Sequence, residues 1–125
     1  MKHKTIRNHK DFLAKRTDPA VCAPCFLLKA KQSSVPGQSR YGILVSKKSF
    51  KLAVHRNLAK RKMRDWVAFN EHLFLPDKDY IFILNENILD YNRDIGRKDT
   101  ETAMRKIKRI YVAEQKSKNL NKIGN

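Results

Sequence analysis

A two-layer α/β sandwich, one sheet of about four strands with helices packed on it, is the architecture expected for this chain. Short apolar runs bounded by turn formers alternate with longer stretches of helical periodicity. Their order is helix–strand–strand–helix–strand–helix, which places helices against a single sheet. At 125 residues, 41% of them hydrophobic, the chain can bury one core and has no room for a second. A single domain over residues 1–115 is expected, with a basic, flexible tail over 116–125.

The elements follow in order. Residues 8–16 read as a short helix carrying Phe12 and Leu13. Cys25-Phe26-Leu27-Leu28-Lys29-Ala30 reads as a strand. A polar turn follows at 33–39, with Pro36-Gly37 as its breaker. Arg40-Tyr41-Gly42-Ile43-Leu44-Val45 is a second strand, and the pair reads as a hairpin. Residues 52–73 carry a long helix, stopped by Pro76. Tyr80-Ile81-Phe82-Ile83-Leu84 is apolar throughout, which marks a central strand. A polar loop over 85–96 and a final helix over 100–114 complete the pattern.

Charge narrows the function. The formal net charge is +16 and the pI about 10.2. A compact chain with so much like charge repels itself, and a polyanionic partner is the usual reason to tolerate that. A membrane span is excluded by the longest clean apolar run, the five residues from Tyr80 to Leu84, because a bilayer needs about 20. The basic N-terminus leads into no apolar stretch, so no secretory signal is read and a cytoplasmic location is expected. The charges are also segregated. Between positions 47 and 64 there are eight Lys or Arg and no acid; between 65 and 96 there are seven acids and two bases.

The long helix holds the basic cluster. With Val54 at zero and about 100° per residue, Leu58, Ala59, Met63, Trp66, Phe69 and Leu73 share a broad apolar arc with it. Arg56, Lys60 and Arg64 fall at i+4 spacing on the other side, with Asn57 and Arg61 in a row beside them. Acids normally alternate with bases on an exposed helix to form i,i+4 pairs; here like charges repeat. The run from Arg56 to Arg64 rises about 12 Å, long enough to track more than one phosphate. Arg offers a fork to phosphate oxygens, Lys a point charge, and Asn reaches sugar or base edges. Lys47 and Lys48 extend the patch upstream.

Other chemistry finds little support. Cys22 and Cys25 form a Cys-Ala-Pro-Cys run with no second ligand pair for zinc, and His3, His9, His55 and His72 are scattered. No metal site and no catalytic residue is expected. The acids of 65–96 show no metal-ligand spacing, and His55 alone sits among the phosphate-binding candidates.

The string Arg40-Tyr41-Gly42-Ile43-Leu44-Val45-Ser46-Lys47-Lys48, followed by Ala53-Val54-His55-Arg56-Asn57-Leu58-Ala59-Lys60-Arg61-Lys62-Met63-Arg64, resembles the signature of the bacterial ribonuclease P protein subunit. That family reads as a Gly-x-x-Val-x-Lys-Lys strand end, then an Arg-Asn-Arg helix continuing Lys-Arg-x-x-Arg. Asp11-Phe12, the strand near Phe26, Asp79-Tyr80-Ile81-Phe82-Ile83 and a basic C-terminal helix extend the likeness over most of the chain. The departures are Leu58 in place of the third residue of Arg-Asn-Arg, and Lys15 and Arg16 where the family has apolar residues. The resemblance implies a ribosomal-protein-like fold with a left-handed βαβ crossover, where the general rule favours the right hand. It implies that the catalyst is a partner RNA that holds most of the magnesium, and that precursor transfer RNA is cut to release its 5′ leader. On it, Lys47, Lys48, Arg56, Asn57, Lys60, Arg61 and Arg64 bind ribonuclease P RNA, while Phe12 and Phe26 line a cleft for the single-stranded leader. No obligate protein partner is implied. For Phe26 a core position fits as well as the cleft. Leu58 is expected to be partly buried, with Arg61 and Lys62 supplying the missing charge. Two other classes stay open: an autonomous nuclease, and a ribosomal or other structural RNA-binding protein.

Overall fold

Lys4–Thr5 (β1), Ala20–Cys22 (β2), Phe26–Gln32 (β3), Arg40–Leu44 (β4) and Lys78–Leu84 (β5) form one sheet in the order β1-β4-β5-β3-β2. The computed structural model describes residues 4–6, 9–35 and 37–123. β5 is central, as its unbroken apolar run requires, and it pairs antiparallel with β3 and parallel with β4. The expected β3–β4 hairpin does not form. β5 lies between the two, about 10 Å of sheet apart, and the connection through residues 33–39 is long enough to cross it. Gly37 takes the left-handed φ of 78° that the turn needs. Its N–H meets the Asp77 carboxylate, and Ser33 N–H donates to the Asp77 carbonyl at 2.8 Å, so this loop is tied to the turn before β5.

Register divides the sheet into two faces. Phe26, Leu28 and Ala30 of β3 lie beside Leu84, Phe82 and Tyr80 of β5, with Ile43 and Tyr41 of β4 next in line. This face is covered by Ala53–Phe69 (α1) and Arg93–Ile123 (α2). Trp66, Met63 and Val67 of α1 and Met104 and Ile107 of α2 fill the space between layers. The other face carries Leu27, Lys29 and Lys31 against Ile83, Ile81 and Asp79, then Leu44, Gly42 and Arg40. Arg40 closes a buried bidentate pair there: its Nε donates to Asp79 at 3.0 Å and its Nη2 at 2.6 Å.

Helix boundaries differ from expectation for local reasons. The N-terminal helix is a single 3₁₀ turn, His9–Phe12. α1 stops at Phe69 because Asn70 caps it, its amide nitrogen donating to the carbonyls of Trp66 and Arg97 at 2.9 Å each. Residues Glu71–Leu73 continue as a separate 3₁₀ turn. α2 begins seven residues early, because Asn92 Oδ1 accepts from the N–H groups of Asp94 and Ile95 at 2.8 and 3.3 Å and so acts as an N-cap inside the polar loop. The helix then continues to Ile123, through most of the segment read as a tail.

The buried stripe of α1 is rotated from the predicted arc. Ala59, Met63, Trp66 and Val67 are buried, whereas Val54 is 73% and Phe69 53% exposed. Val54 and Phe69 sit in the first and last turns. The Phe69 ring is covered instead by the Arg97 guanidinium, 4.4 Å from its centroid.

Candidate nucleic-acid interface

The rotation of α1 sharpens its basic face. With the buried stripe centred near Met63, the opposite side presents Asn57, Arg61 and Arg64 to solvent, with Lys60 half-buried beside them. No acid lies on this strip. It is the stretch of α1 that neither sheet nor α2 covers, so four hydrogen-bond donors, three of them cationic, stand in consecutive turns.

Arg56 belongs to a different arrangement. It is half-buried, and its Nη1 donates to the carbonyls of Phe50 and Lys51 at 2.7 and 3.2 Å. The preceding turn is closed by Phe50 N–H on Ser46 O at 2.9 Å and by Ser49 N–H on Ser46 Oγ at 3.1 Å. The Phe50 ring is buried and anchors it. Lys47 and Lys48 therefore ride, exposed, on a turn pinned at both ends. Arg56, expected to contact RNA, thus also braces, through its Nη1, the turn that carries two neighbouring cations.

Lys62 is spent elsewhere. Its ammonium donates to the carbonyls of Ile88 and Leu89 at 3.0 and 2.7 Å and faces that of Tyr91 at 3.4 Å. It ties α1 to the 3₁₀ segment Glu86–Asp90. Leu58 is partly buried as expected, and the ammonium of its neighbour Lys62 is turned toward these carbonyls.

A second surface lies on the face of the sheet away from both helices. Phe12 stands over Gly42 there: a Cβ on Gly42 would overlap the Phe12 ring. Beside Gly42 the row continues to Ile81 and Lys29, and the next row holds Arg40, Asp79 and Lys31. Lys31 Nζ donates to the Leu13 carbonyl at 3.1 Å, bridging strand and N-terminal segment. In the other direction Leu27, Ile83 and Leu44 form a half-exposed apolar row that leads toward Lys47 and Lys48. An aromatic ring, an apolar floor and lysines along the margins suit a single strand, whose bases stack while its phosphates face cations.

Phe26 is not part of that surface. It lies on the helix-covered face, 1% exposed, edge-on to Phe82 with centroids 5.5 Å apart. Sequence reading passed over Lys29 and Lys31. The period-2 alternation of Phe-Leu-Leu-Lys-Ala-Lys-Gln already places both on the side opposite Phe26, Leu28 and Ala30.

The two cysteines differ in setting: register puts Cys22 beside Leu27 at the margin of the open face, whereas Cys25 lies in the interior. Cys22 is exposed at the end of β2, and Cys25 is buried before β3. Burial, helped by the nearby Asp99 charge, pushes the Cys25 thiol up to about 11. It stays protonated, and a protonated thiol is a poor nucleophile and ligand. Among the described residues, no three His, Cys, Asp or Glu side chains converge on a point where a metal would sit, and no helix is long and apolar enough to cross a membrane.

Known proteins share both fold and sequence with this chain. The RNase P protein of Staphylococcus aureus superposes with a TM-score of 0.67 at 25% identity, covering 83% of this chain and 94% of that one. The RNase P protein of Thermotoga maritima, at 19% identity, shares the fold with a TM-score of 0.60 over 72% of this chain and 84% of its own. The ribonuclease P protein component of Marinobacter nauticus is 31% identical over 86 residues, which are 69% of this chain and 63% of that protein's length. The family model for ribonuclease P matches residues 1–108. With the matched segment spanning α1, the open sheet face and the turn that carries Lys47 and Lys48, the chain belongs to the ribonuclease P protein family.

Proposed function

We propose that this chain is the protein subunit of ribonuclease P, an endoribonuclease whose catalytic centre lies in its RNA subunit. Asn57, Lys60, Arg61 and Arg64 on α1, with Lys47 and Lys48 on the braced turn, hold the phosphate backbone of that RNA. Phe12, with Lys29 and Lys31 across the open face of the sheet, holds the single-stranded 5′ leader of precursor transfer RNA. Stacking on a ring tolerates any base, which suits leaders of varied sequence. The two surfaces meet at the end of β4, so RNA on α1 and leader in the cleft approach each other at Lys47 and Lys48.

The protein's work in this scheme is positional. Holding leader and catalytic RNA together turns an encounter into a near-unimolecular step, and the cations offset repulsion between two polyanions. Magnesium held mainly by the RNA would supply charge stabilisation at the scissile phosphate. No step is assigned to a metal on the protein. A cytoplasmic location and the lack of an obligate protein partner complete the reading.

The observation that carries it is the acid-free cationic strip of α1 on a chain of this family. The test is reconstitution. Purified protein alone should not cut precursor transfer RNA. Added to the ribonuclease P RNA at low magnesium, it should restore release of the leader. Cleavage by the protein alone would make it an autonomous nuclease. Failure to stimulate, with ribosomal RNA co-purifying, would make it a structural RNA-binding protein.

A further inference from the structure

Between α1 and the start of α2 lies a groove of about 330 Å³, within the lower range for small-ligand sites. Leu58 and the part-exposed Tyr91 ring form its apolar lining, with Trp66, 1% exposed, at its base and the two ring centroids 6.0 Å apart at 57°. Arg61 of α1 and Arg93, the first residue of α2, also line it. The carboxylate beside them, Asp65, is bound by Arg97 through two bonds of 2.9 and 3.1 Å and lies 3.5 Å from Arg93 Nε. The Lys62 ammonium is committed to carbonyls below. Arg61, Arg93 and Arg97 outnumber the one carboxylate, Asp65, which is 38% exposed, so charge at this groove is net cationic, and the Arg93 side chain is itself 68% exposed.

An aromatic-lined recess with two arginines matches a planar ring flanked by phosphates. Arg61 also belongs to the phosphate-binding strip of α1, so a strand tracked by that strip passes the groove mouth. We infer that the groove captures one unstacked base of a single-stranded RNA segment, with its neighbouring phosphates on Arg61 and Arg93. This rests on the subunit reading and adds to it a base-binding site separate from the leader cleft, on the opposite side of the sheet.

Trp66 is the chain's single tryptophan, so its emission reports on the groove. The full-length protein is titrated with a single-stranded oligoribonucleotide and with an abasic sugar–phosphate oligomer of equal length. With the other cleft disabled by Phe12→Ala, the base-bearing strand should still change Trp66 emission saturably and bind about tenfold tighter than the abasic one, the scale of one base stacked on an aromatic ring. Leu58→Phe fills the lining without altering charge and should abolish the emission change. Phe12→Ala, which removes the aromatic of the other face, should leave it in place. Equal responses to the two oligomers would overturn the inference. So would a base-dependent response that Phe12→Ala removes, or an unchanged response in a folded Leu58→Phe protein. Should Leu58→Phe fail to fold, the wild-type and Phe12→Ala titrations decide the matter alone. The subunit reading fails separately, by absent stimulation of precursor cleavage.

Discussion

Two single residues connect packing to function. Gly42 is a motif residue whose missing side chain makes room for Phe12, since any Cβ there would overlap the ring. The ring's far edge is what would be struck, and Phe12 lies on a short N-terminal turn, so it can swing away. Gly42→Ala should therefore keep the fold, with a melting temperature within a few degrees of the parent. It should weaken binding of a single-stranded leader oligonucleotide about tenfold, as Phe12→Ala would. Leader affinity untouched by Gly42→Ala would detach Phe12 from the cleft. Asp79 shows the opposite behaviour. Its side chain is wholly buried and held by both forks of Arg40, which also reaches Ser34 Oγ at 3.0 Å. Removing one partner of such a pair strands the other charge in the interior. Asp79→Ala should cost about 3–5 kcal/mol in denaturant unfolding, with little direct effect on RNA contacts.

At the scale of elements, the joint between α1 and α2 is the most heavily fastened. Gly96 lets α2 approach so closely that a Cβ would overlap the Trp66 indole, Asn70 caps α1 onto the Arg97 carbonyl, and Arg97 grips Asp65. The hydrogen bonds from Arg97, with its charge and that of Arg93 adding, hold the Asp65 carboxyl below its ordinary 3.8 against the opposing pull of burial. A depressed carboxyl stabilises the fold fully above its unfolded value and loses that contribution as pH falls through the folded one. Asp65→Asn should therefore melt a few degrees lower than the parent at neutral pH, the small effect expected of a solvent-screened pair. The gap should close as pH drops below about 4; a gap constant down to pH 2 would remove the ion pair from the account. The same joint shows where sequence reading stopped. β5 was legible as central from its five apolar residues, yet strand pairing was not, because a Pro-Gly turn imitates a hairpin whether or not a third strand slips between. The rotation of α1 was hidden because Val54 and Phe69, apolar by type, fall in end turns. The start of α2 was masked by Gly96, a weak helix former, and by a cap lying in a polar loop. Lys29 and Lys31 were legible from alternation alone, while the groove above Trp66 required the three-dimensional approach of α2.

For the whole molecule, net charge is the governing quantity, and it separates side chains that hold RNA from those that hold the fold. A charge of +16 draws any polyanion, so affinity alone says little; its dependence on salt says more. If on the order of five phosphates are neutralised by the α1 strip and its braced turn, log K should fall with log salt at a slope of about −3.5 to −4.5. Arg61 and Arg64 are exposed, and among the described residues no hydrogen bond or ion pair ties either to the rest of the fold. Arg61→Ala and Arg64→Ala should each reduce the slope by about one unit with the melting temperature unchanged. Arg56→Ala should behave otherwise, because its guanidinium braces the carbonyls of Phe50 and Lys51. It should lower the melting temperature and reduce the slope by more than one unit, as Lys47 and Lys48 lose their fixed placement. His55 lies exposed in the first turn of α1, in a recess that Glu86 also lines, and among the described residues no hydrogen bond or ion pair joins the two as an acid–base pair. His55→Ala should accordingly leave the single-turnover chemical step of the reconstituted ribonucleoprotein within a few-fold of the parent at saturating RNA and magnesium. A slope near zero would refute the electrostatic account of this surface; a loss of about a hundredfold or more at His55 would move part of the chemistry from RNA to protein.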